Sequence, residues 1–378
     1  MYRVKQQVAA EGEFMKQVCL LCERTSPDHN LYCQETYCPA EMSPSILGYG
    51  EMIGDIEIVK PVVILRSAVV YEATHQKEKV FLKVAHPGAE NKERLKREAE
   101  FLRDLQLKRT TSKYLPTLLP PYAYTSLKID AYGKTMLQGH LLYFYLFKHV
   151  EGQPLRDMIT ENPQLWINHV CWIIISLAYA AAFLHSKGMY HLGLSPEMVL
   201  VRFDDEPSVP RVLLLDLGIA SNAAGMAAHW YSFFVLPAYT APELVNNGKV
   251  RPEYATDVYG LGLILYELLV GEPTYTFKLQ SDADVYSAVQ RNRRIKMNRV
   301  EDVKTVANIA MQAVDPQPSR RQTDATVLAK QLLAYFGELP AEKKSRWPQL
   351  RTIMVIVAAL LAIAFVLAVV VSLGNFVL

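Results

Sequence analysis

The sequence predicts an α+β fold flanked by a cysteine-rich module before it and one membrane-spanning helix after it. Three observations carry this. Ile56–Val70, Val80–Val84 and Leu141–Phe147 are rich in Val, Ile and aromatic residues and read as strands. Segments with apolar residues at helical spacing follow, above all Leu165–His185. Thr352–Ser372 is almost wholly apolar and uncharged, close to the roughly 20 residues a helix needs to cross a bilayer core. A chain of 378 residues leaves room for more than one domain, and its 51% hydrophobic content owes much to that last run. A net charge of +2 is too small for a nucleic-acid binder, so no such partner is expected.

Residues 17–40 contain Cys19, Cys22, Cys33 and Cys38, two close pairs separated by a short polar turn. Each pair can act as a two-pronged knuckle for tetrahedral thiolate coordination of zinc. A segment this short buries no core, so the metal would supply its folding free energy. It resembles a zinc ribbon, although Glu23 stands where a knuckle glycine is common. The alternative is four unrelated thiols of a reducing compartment, with His29 a loop residue. Met1–Gln17 carries charges throughout and has no apolar core, so no signal peptide is expected. Residues 41–55 read as a linker. Gly48, Gly50 and Gly54 are spaced wrongly for a phosphate-cradling loop and lie too far before the next strand.

The strand Val80–Val84 places Lys83 among apolar neighbours, which calls for an edge position or an anionic partner, because burying a bare ammonium is costly. Asn91–Leu105 has a helical stripe of Leu95, Ala99, Leu102 and Leu105, with Glu98 placed to meet Lys83. Leu165–His185 is apolar enough for a membrane span, but it contains Asn168 and His169 and runs straight into His185-Ser-Lys-Gly188. A buried core helix is expected, with Cys171 an inert core thiol. Tyr190–Val201 follows, then a strand ending in Asp216-Leu217-Gly218, then Ala241-Pro242-Glu243, Asp257–Gly262 and Arg320-Arg321.

In this order and at these separations, the motifs of residues 56–338 resemble those of the serine/threonine protein kinase superfamily. The resemblance implies a two-lobed fold, with a mostly β small lobe and a mostly helical large lobe. It implies that Lys83 and Glu98 pair to hold ATP phosphates, and that Asp216 binds magnesium. Phe147 would be the gatekeeper, and the backbone around Lys148, His149 and Val150 would meet the adenine. Arg320 or Arg321 would pair with Glu243. The catalytic loop keeps its frame in His191, Leu194, Pro196, Glu197 and Leu200. Its chemistry is missing: Gly193 stands at the position of the catalytic aspartate and Met198 at that of the metal-binding asparagine. Leu192 and Ser195 replace the arginine and lysine. Val63, Leu65 and Ala68 occupy the glycine positions of the phosphate loop, where a side chain prevents close backbone approach.

Residues 339–351 are basic, with Lys343, Lys344, Arg346, Trp347 and Arg351 preceding the apolar run. That asymmetry places this side in the cytoplasm and residues 352–372 across a cell membrane, as a single-pass tail anchor. The sequence therefore predicts a membrane-anchored pseudokinase, a scaffold or ATP-sensitive switch with a protein partner in a signalling complex. The alternatives are an active serine/threonine kinase, with Glu197 or a residue of Ser221–Tyr231 as substitute base, and an adaptor that binds no nucleotide.

Overall fold

The computed structural model describes residues 46–337 apart from 124–128, 138–139, 204–206, 219, 223–234, 246–251, 276–280 and 293–302. The four cysteines expected to bind zinc, the basic segment and the apolar run 352–372 lie outside the described residues.

The small lobe is an antiparallel sheet of β1 (Met52–Ile53), β2 (Ile56–Ile64), β3 (Ala68–His75), β4 (Glu78–Ala85), β5 (Gly133–Leu137) and β6 (His140–Lys148), in the order β1-β2-β3-β4-β6-β5. The run expected as one strand from Ile56 to Val70 is instead a hairpin. Its apolar residues continue through the turn because Val63, Leu65 and Ala68 all face the interior. The reversal is closed where the Leu65 amide donates to the Ala68 carbonyl at 2.9 Å, leaving Arg66 and Ser67 at the tip. The next turn was legible: Gln76 and Lys77 both have positive φ, as a two-residue hairpin linking β3 to β4 requires.

The segment 41–55 is not a bare linker from Ile46 onward. Ile46, Leu47 and Ile53 are buried in the outer layer of the small lobe with Ile56, Ile58 and Leu82. The Leu47 amide donates to the Tyr71 hydroxyl at 3.2 Å. Gly50 and Gly54 serve turns at φ 78° and 65°, where a side chain would be strained.

Helix α1 (Ala89–Leu107) buries Leu95, Ala99, Leu102 and Leu105 as its stripe predicts, and Arg94 and Glu98 with them. The large lobe begins with β7 (Gln153–Pro154) and α2 (Leu155–Glu161). Helix α3 (Ile167–His185) is the apolar segment that passes for a span, and 61% of its most apolar window is buried within the domain. Cys171 sits inside it, and burial pushes its thiol up to about 12. Strands β8 (Val199–Arg202) and β9 (Arg211–Leu214) complete a three-stranded sheet in the order β7-β8-β9. Then follow α4 (Pro242–Val245), α5 (Tyr254–Val270), α6 (Asp282–Gln290), α7 (Lys304–Ala313) and α8 (Ala325–Tyr335). Helix α5 is buried along nearly its whole length. A Cβ on Gly262 would lie 2.6 Å from that of Ala313, so the close approach of α5 and α7 depends on that glycine.

Candidate functional site

The site lies where β4, α1 and the strand leading to Asp216 converge. Lys83 donates to Glu98 Oε2 at 2.6 Å and to Asp216 Oδ1 at 2.5 Å, with the Leu215 carbonyl at 3.3 Å. All three donors of the ammonium are therefore engaged. Glu98 also accepts the Leu217 amide at 2.8 Å, which ties α1 to the turn after Asp216. Lys83, Glu98 and Asp216 are at most 4% exposed. The expected Lys83–Glu98 pair forms, and Asp216 joins it.

Sequence reading missed a fourth member, Arg94. It is 3% exposed and lies one helical turn before Glu98, on the same face of α1. A Cβ built on Gly218 would be 3.2 Å from Asp216 Oδ1, 3.5 Å from Glu98 Oε2 and 3.6 Å from an Arg94 terminal nitrogen. The three charged groups thus meet around one point. Burial pulls Arg94 down to about 10 even though Asp216 and Glu98 favour its charge. Burial would raise Asp216, but Lys83 and Arg94 outweigh it and hold its carboxyl at about 2. Burial would lower Lys83, and the same two carboxylates reverse that and raise it. For Glu98 burial prevails over Lys83, and its carboxyl is raised. The readable signal for Arg94 was its i, i+4 spacing from Glu98.

The catalytic-loop frame is intact. Asp257, at the start of α5, accepts the His191 amide at 2.8 Å, the Leu192 amide at 2.6 Å and the His185 ring at 2.9 Å. His191 donates from Nε2 to the Asp216 carbonyl at 2.8 Å, which couples the loop to the site. Burial lowers the His191 pKa, so the ring is neutral. Gly193 lies between Leu192 and Leu194 with no side chain to act on a substrate. Met198 is buried in the main apolar cluster. Glu197 is held by Arg156, with Nε at 2.8 Å and Nη2 at 2.7 Å. Arg156 also bonds to Glu267 at 2.5 Å and to the Tyr239 hydroxyl at 2.6 Å. This network, too, was not read from the sequence, because its members come from four separate elements.

Two further expectations concern the cleft. Val63 and Leu65 are buried in the same cluster as Met198. The carbonyl of Leu65 is fixed by His86 Nε2 at 2.8 Å, and burial lowers the His86 pKa to about 4. Lys148 ends β6, opposite Val80 of β4, and His149 and Val150 follow it. The Lys148 amide is donated to the Thr117 carbonyl at 2.9 Å, and the His149 ring lies 4.6 Å from that of Phe81.

Magnesium, which the resemblance implies, fits this donor set poorly. The ion requires near-octahedral oxygen ligands. Asp216 offers an oxygen already bonded to an ammonium and to the Gly218 amide at 3.1 Å. Met198, which the resemblance puts at the second ligand position, is buried in the main apolar cluster and carries a thioether, a soft donor that suits other metals. Among the described residues, no group of three or more His, Cys, Asp or Glu is arranged to hold a metal.

Glu243 accepts both arms of Arg321, at 2.7 and 2.8 Å, which settles the choice between Arg320 and Arg321. The protein kinase domain model matches residues 66–336. The serine/threonine-protein kinase CG17528 of Drosophila melanogaster is 30% identical over 146 residues, 39% of this chain and 19% of that protein. Serine/threonine-protein kinase PAK 5 of Rattus norvegicus is 24% identical over 215 residues, 55% of this chain and 28% of that protein. The chain thus spans less than a third of the length of these relatives. With the Lys83–Glu98 pair, the loop anchored by Asp257 and the Glu243–Arg321 pair all formed within the matched region, the chain belongs to the protein kinase domain family.

Proposed function

We propose that the chain is a pseudokinase. It would act as a scaffold for a protein partner in a signalling complex, anchored by residues 352–372 at the cytoplasmic face of a cell membrane. One observation carries the reading: Asp257 holds the catalytic loop in full register, and the residue at its reactive position is Gly193. Losing a positioned acid–base group alone typically lowers a rate by about 10²–10⁴. The substitute base considered from the sequence, Glu197, is committed to Arg156. Function has to follow from the site rather than from the fold.

The test is radiolabelled phosphate transfer by the full chain in detergent, compared with Asp216→Ala. No transfer above that of the variant is expected. Transfer that Asp216→Ala abolishes would establish an active serine/threonine kinase instead.

The buried side chains of Val63 and Leu65 favour a second reading, an adaptor that takes no nucleotide. The retained Lys83–Glu98 pair favours an ATP-sensitive switch. Heating the full chain with and without millimolar ATP separates the two. A raised midpoint supports the switch, and an unchanged one supports the adaptor. Zinc in the cysteine module is tested by metal analysis of protein purified under reducing conditions, with about one zinc per chain expected for a single four-thiolate site.

A further inference from the structure

We propose that Arg94 takes the place of a divalent cation at Asp216, so that the site is assembled and held closed by internal charges without metal. This goes beyond the loss of the catalytic base, because it concerns what keeps α1 docked on the turn at Asp216. Lys83 and Arg94 carry two positive charges, and Glu98 and Asp216 carry two negative ones. The cluster is therefore neutral as it stands. All four members are buried, with exposures of 1%, 3%, 2% and 4% respectively. The Gly218 backbone lets Asp216, Glu98 and Arg94 crowd around one point, with distances of 3.2, 3.5 and 3.6 Å from where its Cβ would sit.

A divalent ion binding Asp216 Oδ1 would have to displace the Lys83 ammonium, and through either oxygen it would sit beside a buried guanidinium. It would gain no oxygen from Met198. Like charges brought together away from water repel strongly. The arginine supplies a fixed positive charge where a kinase with an unencumbered aspartate would recruit an ion. The docked position of α1 is then constitutive, and any surface that a partner reads on it is present whether or not metal is available.

The experiment heats the full chain in detergent with no added divalent cation and no chelator, in millimolar Mg²⁺ or in millimolar Mn²⁺, each with and without ATP. The expected result is that neither cation moves the wild-type midpoint relative to the cation-free buffer under either nucleotide condition. Arg94→Gln is expected to unfold at lower temperature and to regain part of the loss with Mn²⁺. Arg94→Lys, which keeps the charge, should remain indifferent to metal. A wild-type midpoint raised by metal by more than about 2 °C overturns the proposal. So does a folded Arg94→Gln protein that ignores Mn²⁺. If that variant does not fold, the wild-type comparison decides alone. Metal dependence without phosphate transfer would remove this inference and leave the scaffold reading standing. Transfer that needs no metal would do the reverse.

Discussion

Glu98 is the residue whose removal should disturb the small lobe most. It accepts both Lys83 and the Leu217 amide in a buried setting. Glu98→Gln leaves one side of the cluster with an uncompensated charge, and removing one partner of a buried pair typically destabilises by about 3–5 kcal/mol. Urea denaturation should show this as a lower midpoint with little change in slope. His86 gives a prediction of a different kind. Its folded pKa, about 4, lies below the ordinary 6.5, because burial opposes the charged ring. Its contribution is complete above pH 6.5 and declines as the pH falls towards 4, since the unfolded chain takes up the proton first. The full shift corresponds to about 3 kcal/mol. Unfolding midpoints between pH 7 and 4 should flatten in a His86→Gln variant. At this scale the sequence revealed Lys83, Glu98 and Asp216 because they sit in ordered motifs. Arg94 escaped notice because a long cationic side chain on a charged helix ordinarily points to water.

Short apolar pairs between glycines have no period of their own, which explains why Ile46–Ile53 reads as a linker. Their burial is decided by the sheet surface they meet, formed by strands distant in sequence. Ile53 is fully buried, and Ile53→Ala should cost about 2–5 kcal/mol, measurable by chemical denaturation. A bare linker would give almost no change. The hairpin of β2 and β3 was obscured for a related reason. Its turn residues Leu65 and Ala68 are apolar because they face the core, so the expected polar interruption shrinks to Arg66 and Ser67. Helix α3 was legible as a core helix only through its context. Its composition satisfies a membrane span, whereas His185 at its end is committed to Asp257.

Across the whole domain, two arginine–carboxylate pairs of similar geometry should behave differently. Arg66, at the hairpin tip, makes a bidentate pair with Asp282 of α6 at 2.8 and 2.9 Å, bridging the two lobes across 216 positions of sequence. Both side chains are substantially exposed, so Arg66→Ala should change global stability by only about 0.2–1 kcal/mol. Its opening should appear instead as faster hydrogen exchange in the hairpin. The Arg321–Glu243 pair is buried, and Arg321→Ala should cost about 3–5 kcal/mol by denaturation. Motif order made the second pair readable down to two adjacent arginines. The first pair carries no local signal, because neither its hairpin tip nor its helix start belongs to a recognisable pattern.

Leu192 has φ 65°, a conformation that a branched side chain adopts only when its surroundings impose it. The hydrogen bond that the Leu192 amide donates to Asp257 supplies that constraint from outside the loop, while Gly193 itself is not among the residues with positive φ. The bend at Leu192 therefore draws on no side chain at position 193. The frame stands without a carboxylate at that position. Gly193→Asp puts a carboxylate at a buried position whose φ is not left-handed, and it is not expected to restore transfer while Lys83 holds Asp216 and Met198 offers no oxygen.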